Sequence, residues 1–333
     1  MTDAVRPVAG SVEELLAGAT WRGPMDKHVD SLSGAPFERA VVDGQACVVK
    51  HIGYQLDWLA RALGDRDGWV LTLWRSGLLD ALPDCLDHTI VGMARNGDTG
   101  VVTQLMRDVG EWLVPPGSAP LPVEMHVRFL DHMARMHVRF WGFRDTYGLL
   151  PPGARYSALT PATAVREAAA GYQDPVPRTL PGGWAALHAA APLAHDCALR
   201  LATEPGPLVA ALDETPATLI HGDWKAGNLG AHPGGRTILL DWGWPGRAAP
   251  LADLGWYLAV NCDRLPMSKE DTVAAYRRSL AESGVETAGW WERQLELALL
   301  GAFLQLGWSK TGDPVELGWW VEQVVPVARD LLR

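Results

Sequence analysis

The segment Leu219-Ile220-His221-Gly222-Asp223-Trp224-Lys225-Ala226-Gly227-Asn228-Leu229-Gly230, followed by Ile238-Leu239-Leu240-Asp241-Trp242-Gly243, decides how this 333-residue chain is read. It contains the pattern HxDxxxxN, and thirteen residues after the Asn a second Asp stands at the end of an apolar run. The chain has three Asn (Asn96, Asn228, Asn261) and ten His, so random placement would produce this pattern on the order of 0.01 times, before flanking strands are required. The residue types also belong together chemically. A carboxylate can orient a hydroxyl and accept its proton, and amide and carboxylate oxygens are the hard donors that hold magnesium.

Outward from this segment, Thr218-Leu219-Ile220 and Thr237-Ile238-Leu239-Leu240 read as short strands. Toward the N-terminus, Ala40-Val41-Val42 and Ala46-Cys47-Val48-Val49-Lys50 flank Asp43-Gly44, a strong hairpin signal. Apolar residues then recur at helical spacing over Gln55 to Leu63 and Gly68 to Leu79. Two further strands are expected at Thr89 to Met93 and Gly100 to Met106, joined through Asn96-Gly97. Strand character is lost at Asp108-Val109-Gly110 and Val114-Pro115-Pro116-Gly117, which places a boundary between residues 1–107 and 108–333. Beyond it, Val123 to Trp141 reads as an amphipathic helix, with further helices at Leu251 to Val260, Lys269 to Ser283, Trp290 to Trp308 and Trp319 to Arg333. Leu149 to Pro192, rich in Pro, Gly and Ala, gives no periodic signal. The expected class is α+β: a small antiparallel sheet followed by a larger, mainly helical part.

Composition narrows the function. Hydrophobic residues make up 48% and charged ones 20%, enough to bury a large core. A formal net charge of −10 argues against a nucleic-acid partner, which would need a basic face. Cys47, Cys85, Cys197 and Cys262 never form a CxxC pair, so they read as reduced, buried thiols. The N-terminus lacks the pattern of a secretory signal, and the apolar stretch Leu297 to Trp308 is too short to span a bilayer. A cytoplasmic location, no membrane association and no obligate protein partner are the resulting expectations.

A loop Asp, a metal-binding Asn and a second metal-binding Asp together serve phosphoryl transfer. On that reading Asp223 is the catalytic base and Asn228 and Asp241 are Mg²⁺ ligands. The chain resembles the aminoglycoside phosphotransferase and choline kinase-like family in His221-Gly222-Asp223, Asn228 and Asp241-Trp242. Pro250-Leu251-Ala252-Asp253-Leu254 is similar to that family's Asp-Leu motif, which supports the catalytic loop, and Met133-Ala134-Arg135-Met136-His137 to its Ala-x-Leu-His helix. The resemblance implies a two-lobed protein-kinase-like fold, with residues 1–107 as the nucleotide-binding lobe and residues 108–333 as the catalytic and substrate-binding lobe. It also implies ATP or GTP as phosphoryl donor and a small-molecule hydroxyl as acceptor: an aminoglycoside, aminocyclitol, amino sugar or choline-like alcohol.

It further implies a phosphate-anchoring lysine, for which Lys50 is the candidate, and phosphate contacts from the turn around Ser33 and Gly34. A hinge at Gln104 to Asp108, with Met106 and Asp108, would read the base. No Glu lies between Glu38 and Glu111, so the acidic partner of Lys50 must be Asp57, Asp65 or Asp67. Lys225 could neutralise charge on the transferred group. Among the sixteen Trp, those near the C-terminus lie close to acids, so Asp263, Trp290, Trp291 and Glu296 are candidates for holding a cationic or sugar acceptor, although Trp more often packs a core. A protein kinase is disfavoured: no Arg precedes Asp223, and only eight residues separate Gly243 from Ala252. An inactive pseudokinase binding nucleotide as a scaffold is the alternative.

Overall fold

The computed structural model describes residues 6–25 and 34–333. Ser33 lies outside the described residues. The chain forms two compact units: residues up to Pro116 together with Ala226–Gly243, and Gly117–Lys225 together with Trp244–Arg333. The sequence boundary falls after residue 107, and the folded grouping also assigns the loop-and-strand segment Ala226–Gly243 to the first unit.

The first unit opens with a short helix, α1 (Val12–Leu15), capped by Ser11, whose side chain accepts from the Glu14 N–H. Strands β1 (Ala19–Pro24), β2 (Phe37–Val42) and β3 (Gln45–Ile52) follow. The β2–β3 turn is Asp43-Gly44 with φ of 50° and 79°, the double positive-φ geometry that an Asp-Gly pair can adopt. Two helices come next, α2 (Trp58–Leu63) and α3 (Trp69–Arg75), both shorter than their periodicity suggests. Asp57 caps α2 by accepting from the Leu59 N–H at 2.9 Å, and Asp65 accepts from the Gly68 and Trp69 N–H groups at 2.8 and 3.0 Å. These side chains fix where each helix starts, which periodicity alone does not report. After β4 (Leu86–Asp87), strands β5 (Ile90–Arg95) and β6 (Val102–Arg107) complete an antiparallel sheet in the order β1-β2-β3-β6-β5. The β5–β6 connection is longer than a two-residue Asn-Gly turn. Asn96 Oδ1 accepts from the Asp98 and Thr99 N–H groups, and Gly100, at φ 70°, completes the reversal. One face of the sheet buries Ala40, Cys47, Val49 and Leu105 against Leu16, with Val12 and Leu15 of α1 packed on them. Burial on this scale contributes about 1.5–3 kcal/mol per large side chain.

The second unit begins with α4 (Val123–Arg139), as its periodicity suggests. The stretch that gives no sequence signal is also helical: α5 (Ala154–Ser157), α6 (Pro161–Ala169), α7 (Pro175–Ala190), α8 (Pro192–Thr203) and α9 (Gly206–Asp213). In α6 to α9 a proline stands in the first turn, where its fixed φ suits a helix and its missing N–H costs nothing. The prolines that obscure the pattern are start signals. Strand β7 (Thr218–Ile220) follows. The chain then contributes β8 (Leu229–Ala231) and β9 (Thr237–Leu239) to the first unit, in a sheet of order β4-β9-β8. Back in the second unit, β10 (Gly246–Ala248) pairs antiparallel with β7, and α10 (Leu251–Val260), α11 (Lys269–Glu282), α12 (Trp291–Leu306) and α13 (Pro314–Leu331) complete the chain. No helix among the described residues is long and apolar enough to cross a membrane. All four cysteines are free; Cys47 and Cys197 are buried, whereas Cys85 and Cys262 are partly exposed.

The histidines of α4 are packing groups. His126 is fully buried, with Nδ1 2.8 Å from the Tyr257 hydroxyl and Nε2 3.2 Å from Thr272 Oγ1. Burial lowers its pKa from 6.5 to about 4. The unfolded chain therefore binds a proton at this site between pH 6.5 and about 4 that the folded chain refuses. Stability is complete above 6.5 and falls as pH drops through that window. Urea unfolding at pH 5 and pH 7.5 should differ by about 1–2 kcal/mol from this group alone, and His126→Gln should remove that part of the difference. An unchanged pH dependence in the variant would show that His126 does not titrate in this way.

Candidate active site

In the second unit, the loop after β7 is held by one buried carboxylate. Asp253, near the start of α10, accepts from the His221 N–H at 2.9 Å, the Gly222 N–H at 2.7 Å and His137 Nε2 at 3.1 Å. It is wholly buried. Burial pushes its pKa up, but the hydrogen bonds from His137 and from the His221 N–H act against that, leaving it below the ordinary carboxylate value. His137 is itself fixed through Nδ1, 2.6 Å from the Tyr276 hydroxyl. Because α4 and α11 supply these partners, the loop is tied to helices distant in sequence.

Within that loop Gly222 adopts φ 85°, and a Cβ there would lie 2.3 Å from the Trp244 carbonyl oxygen. Only glycine fits. Beside it, Arg155 is fully buried and donates from Nη2 to the same carbonyl at 3.3 Å. Asp223 follows, 5% exposed, its Oδ1 accepting from the Trp256 indole N–H at 3.0 Å and its Oδ2 3.0 Å from Lys225 Nζ. Trp256 lies three residues after Asp253 on α10, so one helix face supports both the loop backbone and the Asp223 side chain. Trp256 is also packed against Trp244, with ring centroids 5.5 Å apart. Sequence reasoning missed Trp256, although its spacing from Asp253 was a usable signal.

In the first unit, Lys50 of β3 is 5% exposed and lies opposite Gln104 of β6. Its Nζ is 2.7 Å from Asp241 Oδ1. None of the three expected partners makes that pair: Asp65 caps α3, Asp67 pairs with Arg95, and Asp57 caps α2. Asp57 nevertheless feels the site. Burial raises its pKa, Lys50 pulls it down and Asp241 pushes it up. Asp241 itself has φ 63°, a left-handed conformation rare for a residue with a side chain and concentrated at functional sites. The Leu240 N–H donates to the Asn228 carbonyl at 2.9 Å, tying the strand before Asp241 to Asn228, which is 6% exposed. Asn228 and Asp241 offer amide and carboxylate oxygens, a donor set that fits magnesium rather than a soft metal.

The remaining candidates are less tightly organised. Gly34 is partly buried just ahead of β2. Met106 is buried in β6, and the Asp108 N–H donates to the Ala46 carbonyl at 2.9 Å while its Oδ1 accepts from the Gly110 N–H. Asp263 is exposed, with Oδ1 3.6 Å from Cys262 Sγ. Trp290 sits against Trp141 at 5.8 Å, and Glu296 pairs with Arg293 at 3.4 Å. Trp291 is 2% exposed, stacked on Tyr276 with Arg277 against its ring. Trp290 and Trp291 also touch each other, with ring centroids 5.8 Å apart, whereas Asp263 and Glu296 each keep to a neighbour of their own.

Gly222→Ala combines backbone strain with a collision. It should cost on the order of 2–4 kcal/mol in urea unfolding. Gly44→Ala is the control: its φ of 79° is as strained, but nothing lies within 4 Å of the new methyl, so about 1 kcal/mol is expected. Equal losses would mean that the approach to Trp244 is not tight.

Residues 106–290, more than half of the chain, match the model of APH, the phosphotransferase enzyme family. No curated protein sequence matches. Among solved structures, an aminoglycoside phosphotransferase of Streptomyces rimosus in complex with ADP and streptomycin is 18% identical, with 87% of this chain and 93% of that one covered at a TM-score of 0.49. Aminoglycoside phosphotransferase APH(4)-Ia is 13% identical, with 95% and 96% covered and a TM-score of 0.49. A macrolide 2'-phosphotransferase type I is 15% identical, with 94% and 96% covered and a TM-score of 0.45. On the match over residues 106–290, the chain belongs to the phosphotransferase enzyme family and has its α+β, protein-kinase-like fold.

Proposed function

We propose that this phosphotransferase moves the γ-phosphoryl group of ATP, or of GTP, onto a hydroxyl of a small molecule. The observation that carries the reading is the Lys50–Asp241 pair at 2.7 Å, where the strand lysine and the second motif carboxylate meet beside Asn228. Asn228 and Asp241 would hold Mg²⁺, which when bound neutralises and orients the triphosphate. Lys50 would hold the α- and β-phosphates, with backbone contacts from the turn around Ser33 and Gly34. Met106 and Asp108 lie on the segment that would read the base.

Asp223 would accept the proton of the incoming hydroxyl as its oxygen bonds to the γ-phosphorus and the bond to the β-phosphate oxygen breaks, releasing the nucleoside diphosphate. Both Asp223 oxygens have a donor nearby, Trp256 on one and Lys225 on the other, so the carboxylate is pre-set in orientation. Lys225 would also offset charge on the transferring group. A net charge of −10 favours a cationic acceptor such as an aminoglycoside, aminocyclitol, amino sugar or choline-like alcohol, with Asp263, Trp290 and Glu296 as candidates for its recognition and the buried Trp291 packed against Trp290.

The test is ADP or GDP release from Mg-ATP or Mg-GTP over a panel of amino sugars, aminoglycosides, macrolides, choline-like alcohols and casein. Turnover with a small-molecule alcohol is expected. Turnover with casein alone would overturn the acceptor class, and nucleotide binding without turnover on any acceptor would favour the scaffold. Asp223→Asn should lower kcat by about 100-fold or more while nucleotide still binds, and unchanged turnover would remove Asp223 from the reaction.

Trp256→Phe keeps the packing against Trp244 but removes the N–H. It should lower kcat by about 10-fold with little change in KM, the scale on which supports of a reacting group act. A change confined to KM would assign Trp256 to binding instead.

A further inference from the structure

Helices α7 and α8 meet at a single non-helical residue, Ala191, with φ −147° and ψ 70°. His188 stands in the last turn of α7, and His195 and Asp196 follow the corner at the start of α8. The sharp bend brings their side chains together. His188 Nδ1 is 3.2 Å from His195 Nδ1, His195 Nδ1 is 2.9 Å from Asp196 Oδ1, and His188 Nδ1 is 3.8 Å from Asp196 Oδ1. An ion with tetrahedral bonds of about 2.0–2.1 Å separates neighbouring donor atoms by about 3.3–3.4 Å. The three observed separations bracket that value.

Hydrogen bonding alone serves this cluster poorly. A ring nitrogen carries either one N–H or one lone pair. His195 Nδ1 therefore cannot donate to the Asp196 carboxylate and also accept from His188; at best it shares one N–H between the two, which weakens each bond. A cation at the centre of the triangle takes a lone pair from all three atoms at once. The His195 ring is already braced, edge to face against the buried Trp184 at 5.8 Å. His188 and Asp196, with side chains 60% and 68% exposed, leave the approach open to an ion from solvent.

We propose that His188, His195 and Asp196 form a binding site for a zinc-class divalent cation, which clips α7 to α8 across the Ala191 corner. Two imidazoles and one carboxylate suit zinc, and by the general affinity order copper or nickel, but not magnesium, which demands an oxygen shell. Three protein donors leave a fourth position for water. The site is independent of the reading of Asp223 and Asp241, and its ligands are none of the residues assigned to phosphoryl transfer.

The test uses the full chain without an affinity tag, stripped of metal and titrated with zinc alone against a chromogenic chelator. One zinc per chain should bind, with a rise in melting temperature of about 2–5 °C at saturation. Magnesium at the same concentration should give no such rise. His188→Ala, His195→Ala and Asp196→Asn should each weaken zinc binding, the histidine variants by more than about 10-fold, while the metal-free melting temperatures stay close to that of the parent chain. Zinc uptake that survives in the His188→Ala, His195→Ala double variant, or a parent chain that binds zinc no more tightly than that variant, would overturn the proposal.

Discussion

The Asp253 carboxylate is the constraint on which the second unit is arranged. A charge with no exposure to water is tolerated only when its lone pairs are matched, and here two backbone N–H groups and one imidazole match them. The two N–H groups belong to the residues just before Asp223, so the arrangement that compensates the buried charge also fixes the loop. His137 extends the same network to α4 and, through Tyr276, to α11. Three helices thereby agree on one loop conformation, and the glycine at position 222 lets the backbone pass under Trp244.

The two motif aspartates are held by different physics. Asp223 sits in a nearly dry setting with a neutral indole donor on one oxygen and a lysine on the other. Asp241 is more exposed, paired to a buried lysine, and presented from a backbone conformation that costs energy to maintain. The settings differ in kind: the Asp223 carboxylate is fixed in orientation by a donor at each oxygen, whereas Asp241 stays more open to solvent.

Much of this was legible in the sequence because it rested on local signals. The Asp43-Gly44 hairpin, the span of α10 and the strand at Thr218–Ile220 follow from turn chemistry and periodicity. The loop motif and its family resemblance agree with the match over residues 106–290. What escaped was of two kinds. Helices α6 to α9 begin with prolines, which hide helical periodicity in the composition, because what matters is their position within the first turn. The partner of Lys50 lies 191 residues away at Asp241, a pairing that no local rule encodes. Three aspartates nearer in sequence were plausible by distance alone, and helix capping had already claimed two of them.

The assignment of Ala226–Gly243 to the first unit bears on how the protein is made. Leu86 and Asp87 pair with Thr237 and Ile238, so β4 emerges from the ribosome long before the strand that will flank it. During synthesis the N-terminal sheet can close on itself, but β4 must wait with its edge unpaired while the first half of the helical unit is translated. For the same reason the first unit cannot be excised by truncation at residue 107, since such a fragment lacks β8, β9, Asn228 and Asp241.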